Sequence, residues 1–143
     1  MPIPAKNTTL QRSSAAVPAM PTVKWLPKPA EHDYSAARSY LMLNLGKKSA
    51  NKLIEKLARA KCVIFAAKDV LRASGLPLLP RTNPDVEKEL ARVAAGEALS
   101  PCLLIRGRLD KGRSAQIVDG YHRICASNYL DEDAAIPVHI VGM

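Results

Sequence analysis

Gln116-Ile117-Val118-Asp119-Gly120-Tyr121-His122-Arg123-Ile124-Cys125-Ala126 passes from one periodicity to another within eleven residues. Ile117-Val118 is a short β-branched run suited to a sheet, whereas Ile124, Cys125 and Tyr129 supply the apolar positions of a helix over Tyr121–Leu130. Between them, Gly120 permits a tight turn with positive φ. A strand that feeds a helix in this way leaves the N–H groups of the first helical turn unpaired. Together with the helix dipole they make a place for an anion. Arg123 adds a permanent fork suited to phosphate oxygens, and His122 can donate to a phosphate or carry a proton near neutral pH. An arginine in a first turn opposes the dipole on its own, a conflict that a bound anion removes. A plainer alternative stands beside this one: Asp119 caps the helix and pairs with Arg123, and His122 is an ordinary surface residue.

Outward from this turn, the spacing predicts short strands at Cys102–Arg106 and Ala115–Asp119, joined by a polar hairpin loop over Gly107–Ser114. After the helix come an acidic turn, Asp131-Glu132-Asp133, and a last strand over Ile136–Val141, with Pro137 near its start, where an edge strand tolerates proline. Upstream, Cys62–Ala66 is a short apolar run read as a strand, and Lys68–Gly75 reads as one or two helical turns ending at the glycine. The prolines of Leu76–Pro80 forbid a regular helix, while Asn83-Pro84 is a strong helix start, with Val86, Leu90, Val93 and Ala94 on its buried stripe. Residues 34–45 form a further helix through Ala37, Tyr40, Leu41 and Leu45, closed by Gly46. Ser49 caps the next, with Ala50, Leu53, Ile54, Leu57 and Ala58 on one face. The fold class expected is α/β (α+β), a small mixed sheet with flanking helices.

A chain of 143 residues fits one domain, and an apolar fraction of 48% allows a real core. Residues 1–31 hold six of the eleven prolines and read as a flexible Pro-rich arm, in which Val23, Trp25 and Leu26 form a short strand or an anchor. Residues 32–61 read as a basic helical segment packed on the core, and residues 62–143 as the domain proper. Net charge is +8, with +6 of it in residues 33–75, while residues 76–143 carry −1. Lys47, Lys48, Lys52, Lys56 and Arg59 make a basic stripe that can contact nucleic acid or serve as a solvated helix face. Aromatic residues amount to only 4%, which argues against a base-stacking platform for single strands. Cys62, Cys102 and Cys125 lie in apolar stretches and are expected as buried hydrophobes; no Cys/His spacing suggests a metal site. The first thirty residues lack a secretory apolar region, and no apolar run approaches membrane-spanning length. The expectation is a cytoplasmic protein with no membrane partner.

Ile117-Val118-Asp119-Gly120-Tyr121-His122-Arg123-Ile124-Cys125-Ala126 resembles the D-G-x-H-R-x-x-A signature of the ParB/sulfiredoxin-like superfamily. Leu99-Ser100-Pro101-Cys102-Leu103-Leu104-Ile105 looks like that family's L-x-P-I-x-V strand before the hairpin, and Ile136–Val141 like its closing strand. The resemblance covers roughly residues 62–143 and is specific over 99–141. It implies a nucleotide-binding domain that takes ATP, ADP or CTP, with Mg²⁺ as helper. Under it, Gly120, Tyr121 and Arg123 would hold phosphate oxygens, His122 would contact them or act as acid/base, and Asp119 would position a metal, a water or a hydroxyl. Lys68, Asp69 and Arg72 would face the nucleotide, and Ser100 would line the pocket floor; a solvated helix face and a turn role before Pro101 are the plainer alternatives. The family's sulfiredoxins place a catalytic cysteine where this chain has Tyr121, so that activity is not expected.

Three functions follow as expectations. The first is a nucleotide-binding protein, either a hydrolase or a phosphotransferase. The second is a DNA-binding protein or metal-dependent nuclease that uses the basic stripe. The third is a non-catalytic module that senses a ligand and engages an unidentified protein; a homodimer also stays open.

Overall fold

A computed structural model describes residues 22–143. In chain order the elements are β1 (Lys24–Trp25), α1 (Glu31–Leu41), α2 (Lys47–Arg59), β2 (Cys62–Ala66), α3 (Ala67–Ser74), α4 (Pro84–Ala94), β3 (Ala98–Leu99), β4 (Cys102–Ile105), β5 (Gln116–Asp119), α5 (Tyr121–Leu130) and β6 (Ala135–Val141). Among the described residues this is an α+β fold: five α-helices flank a four-stranded mixed sheet of order β2-β6-β4-β5, and β1 pairs with β3 in a separate two-stranded ribbon.

The sheet divides two cores by strand alternation. Cys102 and Leu104 of β4, Ile117 of β5 and Ile136 and Val138 of β6 pack with α3, α4 and α5. The alternate residues Leu103, Ile105 and Val118 pack with Ala37 and Leu41 of α1 and Ala50, Leu53 and Leu57 of α2. Every residue of β4 is therefore buried, as a strand covered on both faces must be. The α1–α2 segment carries the positive charge, yet it supplies one of the two apolar layers.

Local chemistry sets most element boundaries. The Asn83 side chain accepts from the Asp85 and Val86 amides at 2.9 and 3.1 Å, and Pro84 occupies the first helical position of α4. Gly75 ends α3 in the left-handed conformation, φ 70°. Trp25, partly buried against the first core, combines both roles expected of its segment, since β1 runs parallel to β3 and Leu26 N–H bonds Leu99 O at 2.8 Å. The remainder of the proline-rich arm, residues 1–21, lies outside the described residues.

Four expectations are corrected. Gly46 does not close α1, which ends at Leu41; it is instead the N-cap of α2, in place of Ser49. Ala58 and Ala94 are exposed, not part of the buried stripes of their helices. Cys62 is exposed because β2 is an edge strand, while Cys102 and Cys125 are buried. Pro137 sits not on an edge but on β6, which is paired on both sides. It is accommodated because the pairing with β4 begins one residue later, at Cys102↔Val138, so Pro137 faces a neighbour only on the β2 side, opposite Ile64.

Leu57 is fully buried between α2 and the sheet. Leu57→Ala is expected to cost about 2–5 kcal/mol in urea unfolding. A loss below about 1 kcal/mol, the range of surface substitutions and tolerant swaps, would show that the α1–α2 layer is not part of the folding unit.

Candidate functional site

The strand-to-helix turn forms as the sequence predicts. β5 ends at Asp119, Gly120 takes φ 107° as the N-cap of α5, and α5 spans Tyr121–Leu130. Gly120 also has no room for a side chain, since a Cβ there would lie 2.6 Å from Cys102 Sγ and 3.1 Å from Arg123 Nη2. The turn is thus packed onto the start of β4.

Arg123 points inward. Its Nη2 donates to Asp119 Oδ2 at 2.9 Å and to Pro101 O at 3.2 Å, and its Nη1 lies 3.8 Å from Asp33 Oδ1. Only 12% of the side chain is exposed. Asp33, 3% exposed, also accepts from the Ala30 amide at 2.9 Å, which caps the start of α1. The guanidinium therefore joins the first turn of α5, the end of β5 and the first turn of α1. Of the plainer alternative, the Asp119–Arg123 pair is present, whereas Asp119 does not cap the helix, whose N-cap is Gly120; the fork offered to phosphate is occupied by two carboxylates.

The neighbouring side chains are engaged too. Tyr121 Oη donates to Pro77 O, and His122 Nε2 lies 3.7 Å from Asp85 Oδ2 in the first turn of α4. Tyr121 thus holds the segment between α3 and α4, and His122 lies against the start of α4. Burial pushes the Cys102 thiol up to about 11, against the pull of Arg123, so it stays protonated and is a poor nucleophile. Burial likewise raises the Asp119 carboxyl; Arg123 works against that rise and the nearby Asp33 adds to it. The residues do not fit Mg²⁺ at this turn, because the carboxylates that would hold it are already neutralised by an arginine. Among the described residues no group of three or more His, Cys, Asp or Glu is placed to hold a metal.

The other predicted residues are dispersed. Lys68 Nζ pairs with Asp133 at 2.6 Å and its amide bonds Glu132 O, which places it just beyond the far end of α5, about 15 Å along that helix from the turn. Arg72 is exposed and pairs with Asp69 at 3.4 Å. Ser100 is half-buried beside Pro101, next to the turn. Lys47, Lys48, Lys52, Lys56 and Arg59 line the exposed side of α2, and Lys56 Nζ donates to Gly142 O at 2.9 Å.

A cleft of about 800 Å³ lies at the opposite end of β5, and none of Asp119–Arg123 lines it. Its walls come from the end of α1, the β4–β5 hairpin and the residues after β6, and they include Arg106, Arg108 and Arg113 together with Tyr40 and Gln116. No carboxylate side chain lines it. The hairpin creates the arginine cluster. Arg108 and Arg113 exchange both backbone hydrogen bonds at 2.9 Å, so their side chains are directly opposed across the ladder. Gly107 permits this closeness, since a Cβ there would meet Ala115 N and Arg113 O at 2.7 Å. Arg108 is partly neutralised by a two-point contact with Asp110 at 3.0 and 2.8 Å, whereas Arg106 and Arg113 have no carboxylate within ion-pair distance among the described residues. From the sequence, Arg106 reads as the end of a strand and Gly107–Ser114 only as a hairpin loop. The available signal was Arg106-Gly107-Arg108 with Arg113 returning beside it.

The chain matches no family model, no curated protein and no solved structure.

Arg123→Ala would leave Asp33 and Asp119 facing each other without their cation. The expected loss of unfolding free energy is about 3–5 kcal/mol, the range for removing one partner of a buried pair; a change under about 1 kcal/mol would mean that the guanidinium does not hold the layers together. The raised Asp119 carboxyl gives a pH signature. Its favourable contribution is complete below the ordinary value of 3.8 and is lost as pH rises through the higher folded value. Asp119→Asn should therefore flatten the melting-temperature curve as pH rises above the ordinary carboxyl value, and parallel curves for the two proteins would refute the assignment.

Proposed function

We propose that the protein binds a phosphate-bearing small ligand, a nucleotide in the reading that its resemblance to the ParB/sulfiredoxin-like superfamily suggests, and that the phosphates lie in the arginine-lined cleft, not at the start of α5. One observation carries this: Arg108 and Arg113 are held directly opposite each other beside Arg106, in a cleft lined by no Asp or Glu side chain. Like charges opposed across a ladder destabilise the pair, and a bound anion reverses that cost. The volume, about 800 Å³, falls within the range of small-molecule sites. Tyr40 and Gln116, joined by a 2.6 Å hydrogen bond from the tyrosine hydroxyl, supply a ring and an amide on the same wall. Mg²⁺, where it accompanies the nucleotide, would be carried by the phosphates themselves. The proposal concerns binding, not turnover.

A second reading has a specific observation behind it. Lys56 bonds the carbonyl of Gly142, which lines the cleft, so the basic stripe of α2 runs up to the cleft's edge. A polynucleotide backbone could follow that track, with a phosphate in the cleft.

Thermal melts with ATP, ADP and CTP, with and without Mg²⁺, test the first reading, since a ligand that binds only the folded state raises the melting temperature. The R106A/R113A protein should bind at least about tenfold more weakly, consistent with charge-assisted bonds of about 1.5–3 kcal/mol each. Asp110→Asn, which releases Arg108, should tighten binding. No shift with any nucleotide defeats the proposal, and unchanged binding by R106A/R113A returns the ligand to the α5 turn. For the second reading, oligonucleotide affinity should fall with salt, and the slope should become shallower by roughly one for each α2 lysine neutralised.

A further inference from the structure

β2 is an unguarded edge. Among the described residues Cys62–Ala66 pairs with β6 alone, in an unbroken antiparallel register from Cys62↔His139 to Ala66↔Ala135. It carries no charge, proline or bulge, the devices that usually protect such an edge. Val63, Ile64 and Phe65 are 39, 61 and 37% exposed. The opposite edge is treated differently. There, β5 pairs with β4 through a register irregularity, and Tyr40 of α1 reaches over it to hydrogen-bond Gln116.

Proline determines which backbone groups β2 presents. Pro137 stands opposite Ile64 and has no N–H to give, so this is a non-hydrogen-bonded pair of the ladder. The Ala67 N–H bond to Ala134 O at 3.0 Å, three positions along, shows the same alternation: odd-numbered residues of this strand bond towards β6. The N–H and C=O of Ile64 and Cys62, and the N–H of Ala66, therefore point outward, and none has another backbone partner among the described residues.

We propose that this edge is the interface of a homodimer, in which β2 of two copies pairs antiparallel about a two-fold axis through Ile64. A two-fold interface must be self-complementary. About Ile64 the strand is: Ile64 meets Ile64 and exchanges two backbone bonds with it, Val63 meets Phe65, and Cys62 meets Ala66, whose N–H donates to the Cys62 carbonyl. No charged side chain opposes another within the paired strands, despite a net charge of +8 on each copy. The exposed apolar residues of each edge are covered by the same residues of the other, and two four-stranded sheets become one of eight strands. The occupant is thus a second copy of this chain.

The register can be tested directly in the full chain. Directly opposed, hydrogen-bonded residues have Cα atoms about 5.5 Å apart, within disulfide range, whereas Cys62 and its counterpart lie four positions out of register, about 13 Å apart. Sedimentation should give twice the chain mass. Mild oxidation should cross-link the C62S/I64C protein quantitatively and leave the native chain uncross-linked. Ile64→Lys should give a monomer with an unchanged circular dichroism spectrum and melting profile at low concentration. A native chain that stays monomeric across micromolar concentrations overturns the proposal and leaves the edge to a strand of another protein. A dimer that C62S/I64C does not cross-link, or that cross-links through native Cys62, overturns it as well.

Discussion

A single guanidinium, buried between two carboxylates that come from opposite ends of the described chain, ties the structure together. Arg123 contacts Asp119 at the end of β5 and Asp33 at the start of α1. The two helical layers are otherwise separated by the sheet and touch different faces of it. Apolar packing holds each layer to the sheet but does not fix how one layer is set against the other. A charge-assisted contact with defined donors and acceptors does, and a specifying role of this kind suits a buried ion cluster better than a large net stabilisation does. The same contact explains why Gly120 is packed so tightly and why the Pro101 carbonyl has a donor.

That arrangement has a functional consequence. A cation already bound to two carboxylates has little attraction left for a third anion, so the positive charge free to bind lies elsewhere. β5 connects the two places. At its Asp119 end charge is compensated and buried; at its Gln116 end, where the hairpin returns, three arginines line an open cleft, and the Asp110 side chain pairs with only one of them. Asp110 is held below the ordinary carboxylate value by its hydrogen bonds to Arg108, so it stays ionised and competes with any ligand for that guanidinium.

The order of elements was legible in the sequence because each rests on local chemistry. The span of α5, the Asn83-Pro84 start of α4 and the strand at Cys62–Ala66 follow from caps, prolines and periodicity. The turn at Gly120 was legible for the same reason. The pairing of Arg123 with Asp119 was open to reading as the plainer alternative, but its second partner was not, since Asp33 lies ninety residues away and looks, within its own helix, like any acidic residue in a first turn. The arginine cleft was missed on similar grounds. Arg108 and Arg113 are five positions apart in a polar loop, and only the hairpin's backbone register makes them neighbours. Pro137 misled because proline in a strand argues for an edge, while the offset between β6 and β4 gives it one free side within a central strand.

Sheet order then accounts for where the chain exposes what it does. The most protected strand, β4, has neighbours on both sides and helices on both faces, and it reads as an unbroken apolar run. β2 has nearly the same composition, but among the described residues a neighbour on one side only. Composition alone cannot distinguish a strand buried by its own chain from one that waits to be buried, since the apolar driving force is the same in both. The distinction comes from topology. α3 leaves β2 directly at Ala67 and packs on one face, so nothing in the described chain returns to cover the outer side. An apolar strand in that position leaves an open edge in the described chain, in the same physical sense that Arg106 and Arg113, with no carboxylate within ion-pair distance among the described residues, leave open charge.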